Sequence, residues 1–135
     1  MSNRNEFITE FRGETIGSLS SQSSIDEQFQ NQVLRPILKL QNELFLASFI
    51  NYIAKNKADF ANYSNDKKRA FIANSVQKDT KYRNTLKGMV VGLFTIPEYT
   101  IYTQNTSNIN KRMMAMLIER LKNQMDLLQI NSLRT

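Results

Sequence analysis

Tyr82, Leu86, Met89, Val90, Leu93 and Phe94 stand at i, i+4, i+7, i+8, i+11 and i+12. That spacing gathers all six on one face of an α-helix, whereas a strand would send them to both faces. A helix with such a stripe must be covered by other elements. The 135 residues include only two prolines and four glycines, too few for a loop-rich fold, and 41% are hydrophobic, enough for one core at this length. The expected fold class is therefore all-α: a single-domain helical bundle of about five helices over residues 25–135, preceded over residues 1–24 by a tethered amphipathic helix and a Ser-rich connector.

Asn3 to Arg12 reads as that first helix. Phe7, Ile8 and Phe11 lie on one face and Gly13 is suited to the C-terminus. Gly17 to Ser24 has almost nothing to bury and reads as a flexible connector. Ser24 with Glu27 makes a capping box opening a long helix, in which Phe29, Val33, Ile37, Leu40 and Leu44 keep a spacing of three or four. Pro36 predicts a kink or restart near Arg35. Between Leu44 and Ile53 apolar residues go most of the way round, which predicts the central helix of the bundle. Ser64 with Asp66 starts another helix, and a break near Asp79 separates it from the Tyr82 stripe. Thr95, Pro97 and Glu98 mark a further helix start, although Tyr99, Ile101 and Thr103 alternate as a short strand would. The last helix, about Ser107 to Ile130, buries Ile109, Met113, Met116, Leu117, Leu121, Met125 and Leu128 and leaves Met114 off the stripe.

The sequence contains no histidine and no cysteine. Imidazole is the commonest general base and metal ligand near neutral pH, and thiolate is the strongest protein nucleophile, so the usual triads, zinc sites and haem or iron-sulfur ligation are excluded. No cofactor and no metal are expected. The carboxylates Glu6, Glu10 and Glu14 supply no paired acid and base, and Glu43 has Lys39 four residues earlier for an ordinary ion pair. No apolar run reaches the roughly 20 residues of a membrane span, and Met1 to Glu6 lacks a signal-peptide plan, so the expected location is the cytoplasm.

Charge is concentrated. Residues 55–87 hold nine Lys or Arg against three Asp, a surplus of six positive charges that equals the formal net charge of the chain. Lys67, Lys68, Arg69, Lys81, Arg83 and Lys87 lie on two successive helices joined by a tight turn, the minimum outline of a helix-turn-helix reader of nucleic acid; a solvated basic face needs no ligand at all. Gly88 and Gly92, four apart in one helix, each cost roughly 1 kcal/mol relative to alanine. Close approach of another helix, a subunit contact or a small apolar pocket are the compensations that spacing allows. The methionines of the last helix suit core filling or a pliable partner surface.

Arg12-Gly13-Glu14-Thr15, Leu34-Arg35-Pro36-Ile37-Leu38-Lys39-Leu40-Gln41-Asn42, Lys81-Tyr82-Arg83-Asn84-Thr85-Leu86-Lys87-Gly88 and Asn110-Lys111-Arg112-Met113-Met114 resemble a family of small helical proteins of Bacteroidetes, whose members often carry the name glyoxalase. Glyoxalases proper repeat βαβββ units and bind a divalent metal through His and Glu. This sequence has no histidine and little strand pattern, and no glyoxalase residue carries over. The expected function is a non-catalytic interaction protein that self-associates, because a tethered helix does not leave Phe7 and Phe11 comfortably in water and should dock on its own bundle or swap onto a neighbour. The alternatives are a nucleic-acid module using residues 55–87, and a small-molecule binder or enzyme with a pocket near Gly88 and Gly92.

Overall fold

The computed structural model describes residues 3–13 and 24–128. Among them every regular element is helical. Helix α1 is Asn3–Arg12. Helix α2 runs through Ile25–Phe29, a π-helical turn at Gln30–Leu34 and Arg35–Leu40. Then follow α3 (Asn42–Lys55), a 3₁₀ turn (Phe60–Asn62), α4 (Asn65–Lys78), α5 (Thr80–Val91), α6 (Ile96–Gln104), α7 (Thr106–Lys122) and a 3₁₀ turn (Met125–Leu127). The class is as expected, with seven helices rather than about six in all, because the long second helix is two. No helix among the described residues is long and apolar enough to cross a membrane.

The extra helix comes from a break that is not at the proline. Upstream of Pro36 the π turn widens the helix, with the Arg35 amide donating to the Gln30 carbonyl. A π turn loosens the ladder where the proline ring would otherwise meet a carbonyl. Helix α2 therefore runs past Pro36 and stops at Gln41, whose φ of −90° and ψ of 6° leave the helical region. The restart re-phases the apolar stripe: Phe45, Phe49, Ile50 and Ile53 are buried, whereas Leu40 and Leu44 face solvent.

The other boundaries are set by local chemistry. Ser24 and Ser64 accept from the Glu27 and Lys67 amides. Asp79 ends α4 and caps α5 by accepting from the Tyr82 amide at 3.2 Å. Thr95 and Glu98 form a full capping box at the start of α6, which settles residues 96–104 as helix. Helix α3 closes in a Schellman motif: the Lys57 and Ala58 amides donate to Ala54 and Ile53 carbonyls, and Lys57 takes the left-handed φ of 54° that glycine usually fills. Helix α7 ends at Lys122, short of the expected Ile130; residues 129–135 lie outside the described ones. Beyond it Gln124 and Asn42 exchange amide hydrogen bonds of 2.8 and 2.9 Å, which tie the segment after α7 to the start of α3.

The helix expected at the centre is not the one found there. Helix α7 packs against α2, α4, α5 and α6, and buries Ile109, Met113, Met114, Leu117, Ile118 and Leu121. Met114, only 4% exposed, is buried off the main stripe because neighbours cover α7 on more than one side. Helix α3 is held instead by rings. Phe49 lies within 6.2 Å, centroid to centroid, of Tyr52, Phe60, Phe71 and Tyr82, and Tyr63 completes the set against Phe60 and Phe71. These six rings join α3, the first 3₁₀ turn, α4 and α5. Phe49→Ala is expected to cost about 3–5 kcal/mol, the range for truncating a buried aromatic, read as a lower midpoint in urea. A loss below about 1 kcal/mol would show that the cluster collapses around the gap and is not the anchor.

Candidate functional site

Helix α1 docks on its own chain through a polar face. At about 100° per residue, Arg4, Asn5, Ile8 and Arg12 share one side. The end of α5 leaves carbonyls without intrahelical donors, and α1 supplies them. Arg4 donates through Nη1 to the Phe94 carbonyl at 2.7 Å and through Nη2 to that of Gly92 at 3.0 Å. Arg12 donates to the Leu93 carbonyl and grips the Glu98 carboxylate with both terminal nitrogens, Nη2 to Oε2 at 2.8 Å. The Ile96 amide donates to Asn5 Oδ1 at 2.9 Å.

The Arg12 side chain is 7% exposed and that of Glu98 17%. Burial alone would raise the Glu98 carboxyl. The Arg12 hydrogen bonds and charge, with the Thr95 amide and hydroxyl, outweigh burial and hold it below its ordinary value. Of the apolar residues on this helix Ile8 is buried, while Phe7 and Phe11 are 71% and 57% exposed, their centroids 6.4 Å apart. Helix α1 thus docks on its own bundle, one of the two outcomes expected for it, but through arginines rather than through the phenylalanines, whose rings point outward.

The six basic residues fall into three places. Lys67 lies over the Tyr63 ring at 4.2 Å and Lys68 over Phe60 at 5.5 Å, and Arg69 pairs with Asp66 at 3.2 Å. All three sit at the start of α4 and are engaged by their own chain. Lys81 lies past the other end of α4, roughly 20 Å away at 1.5 Å per residue. On α5 the buried stripe is Tyr82, Leu86 and Val90. Lys81 shares the exposed side with Asn84 and Thr85, and Arg83 and Lys87 are half-buried around the helix from them. The described residues do not form one continuous basic face from these six.

The surroundings of the two glycines differ. A Cβ at Gly88 would meet nothing within 4 Å, so no helix of the described chain approaches it. At Gly92 a Cβ would lie 3.1 Å from the Gly88 carbonyl, tight at the closing turn of α5, where the Gly92 carbonyl also receives Arg4. Neither lines the cleft found elsewhere on the same helix. That cleft, of about 410 Å³, lies between α3 and the start of α5 and is bordered by Ser48, Asn51, Tyr52, Lys55, Asn56, Asp79, Lys81, Tyr82 and Thr85. Tyr52 and Tyr82 stack at 4.2 Å. The Tyr52 hydroxyl donates to Asp79 Oδ2 at 2.7 Å, and Ser48 and Tyr82 hydroxyls bond at 3.1 Å.

Sequence reasoning took Tyr82 as core and Asp79 as a helix break. Nothing in the spacing of residues 48–56 and 79–85 signals that they meet. The pairing of Arg12 with Glu98, 86 residues away, was equally silent. Among the described residues no group of three or more carboxylates gathers to hold a metal.

Two outcomes follow from this geometry. Gly88→Ala is expected to stabilise the protein by about 1 kcal/mol, because helix propensity improves and the methyl group meets open space; a lower urea midpoint would contradict the open surroundings. The Glu98 carboxyl is depressed in the folded state, so its contribution is complete above its ordinary value of 4.5 and is lost as pH falls through the folded value. Amides of α1 should therefore stay protected from hydrogen exchange at neutral pH and lose protection under acid below that value. Glu98→Gln should expose them already at neutral pH, and unchanged protection there would refute the role of the ion pair. No protein-family model matches the chain, and neither a curated protein nor a solved structure does, so functional argument rests on its own residues.

Proposed function

We propose that this chain is a non-catalytic interaction protein that binds a second copy of itself through the outer face of α1. The observation that carries this reading is the pair Phe7 and Phe11, in tilted contact with each other and facing water on a helix that arginines already hold to its own chain. A helix docked by Arg4, Asn5, Ile8 and Arg12 has no need of two phenylalanines, and their exposure costs solvation free energy that a partner surface would recover. Burying large aromatic side chains at the centre of a contact is the usual source of its affinity.

Charge favours this face for self-contact. The chain carries a formal charge of +6, so most approaches between two copies are repulsive. The outer side of α1 holds Glu6 and Glu10 beside the phenylalanines, negative charge that offsets part of this repulsion. The resemblance to Bacteroidetes proteins named glyoxalase does not add an activity to this reading, since an all-helical chain without histidine has neither the repeat nor the ligands of that enzyme.

Light scattering on the full chain at high micromolar concentration should give a dimer or larger species. Phe7→Ser with Phe11→Ser should weaken that association by at least about tenfold, as loss of two central aromatic anchors does. The helical circular dichroism should be unchanged, because neither ring is part of the inward face. A monomeric full chain, or a double variant that associates as before, would falsify the proposal.

A further inference from the structure

The geometry points to a binding site for a small hydroxylated phosphate monoester in the cleft between α3 and the start of α5. This surface is separate from the outer face of α1, and the inference does not rest on self-association. The cleft volume of about 410 Å³ falls within the range of small-molecule sites. Its floor is fixed in advance: the two tyrosine rings stack, Ser48 holds one hydroxyl and Asp79 the other, and Tyr82 is anchored in the six-ring cluster.

The charges select the ligand class. Asp79 is the cleft's carboxylate, and both its oxygens are committed, Oδ2 to the Tyr52 hydroxyl and Oδ1 to the Tyr82 amide. Lys55 and Lys81 border the same cleft, both solvent-facing, and neither forms an ion pair among the described residues. The two ammonium groups outweigh the one Asp79 carboxylate, which the Lys81 charge also reaches, and leave the cleft net positive toward a phosphate monoester, which lysine serves as a point charge. The rest of the rim suits a hydroxylated body. The Asn51 side chain makes no hydrogen bond among the described residues, Asn56 uses one amide hydrogen on the Tyr52 carbonyl, and Thr85 uses its hydroxyl hydrogen on that of Lys81. The Asn56 and Thr85 oxygens therefore remain as acceptors and Asn51 offers both functions.

Burial and hydrogen bonds set the titration of the cleft's own groups. Burial raises the Tyr52 hydroxyl and pushes that of Tyr82 up to about 12, while hydrogen bonds from Tyr52 and the Tyr82 amide lower Asp79. At neutral pH both tyrosines are neutral and Asp79 is ionised, so none of the three is poised to exchange a proton.

Nuclear magnetic resonance titration of the full chain tests this with ribose 5-phosphate, inorganic phosphate and ribose. Ribose 5-phosphate should shift amide signals saturably at residues 48–56 and 79–85, inorganic phosphate should bind the same residues more weakly, and ribose should leave them unmoved. Lys55→Gln with Lys81→Gln should weaken ribose 5-phosphate by about tenfold or more, as expected for two charge-assisted contacts. Lys39→Gln with Lys111→Gln removes the same charge elsewhere and should leave the affinity unchanged. Equal weakening in both double variants would mean that the field of the whole chain attracts the anion and would overturn the site. Equal affinity for inorganic phosphate would overturn the ester body. A DNA duplex that shifts the same amides and is not displaced by ribose 5-phosphate would overturn the small-molecule assignment in favour of nucleic acid.

Discussion

Phe49 is the residue on which the lower half of the bundle turns. It sits fully buried among Tyr52, Phe60, Phe71 and Tyr82, so one side chain fixes α3 against the first 3₁₀ turn, α4 and α5 at once. Rings in tilted and edge-on contact are more demanding in geometry than aliphatic side chains. The spacing of the three helices follows from that demand. The cleft at the start of α5 inherits its shape from the same cluster, because Tyr52 and Tyr82 belong to both. Even the basic start of α4 is drawn in, since Lys67 and Lys68 lie over rings of the cluster and gain from the negative face of the aromatic system.

The upper half is organised by a different problem. Between α5 and α6 the chain turns sharply through Gly92, Leu93 and Phe94, and Phe94 packs edge-on against Phe29 and Tyr102. That turn leaves carbonyls that neither α5 nor α6 satisfies. Arginine is well suited to the task, with several donors in a fixed fork and a long apolar stem. Arg4 and Arg12 act from α1, and Glu98 answers the charge of Arg12 while it caps α6. The same few atoms thus dock α1, close α5 and open α6. The consequence is that α1 docks through arginine, asparagine and Ile8 and leaves Phe7 and Phe11 in solvent.

Much of the helical plan was legible in residues close together along the chain. Ser24, Ser64, Asp79 and Thr95 each announce a helix start because a cap is a contact across three residues. The Tyr82 stripe was readable for the same reason. Gln41 was not readable as a break, since nothing in its own chemistry forbids a helix, and the π turn that lets α2 pass Pro36 depends on how both halves pack. Met114 failed as an expected surface residue because periodicity assumes one covered face, and α7 is covered on several. Lys57 in the left-handed region carried no signal at all, since glycine is the residue that marks such a site.

By itself the sequence determined that the chain is helical, where most helices begin, and that histidine and cysteine chemistry is excluded. Those properties depend on identity and on neighbours within a turn or two. The tertiary structure alone decided that Lys67, Lys68 and Arg69 are set apart from Lys81, Arg83 and Lys87, that Gly88 faces open space, and that Arg12 meets Glu98. It also decided that Tyr52, Asp79 and Tyr82 share a cleft. Each of these depends on elements brought together by ring packing and carbonyl satisfaction over long separations, and such contacts leave no period in the chain to be read.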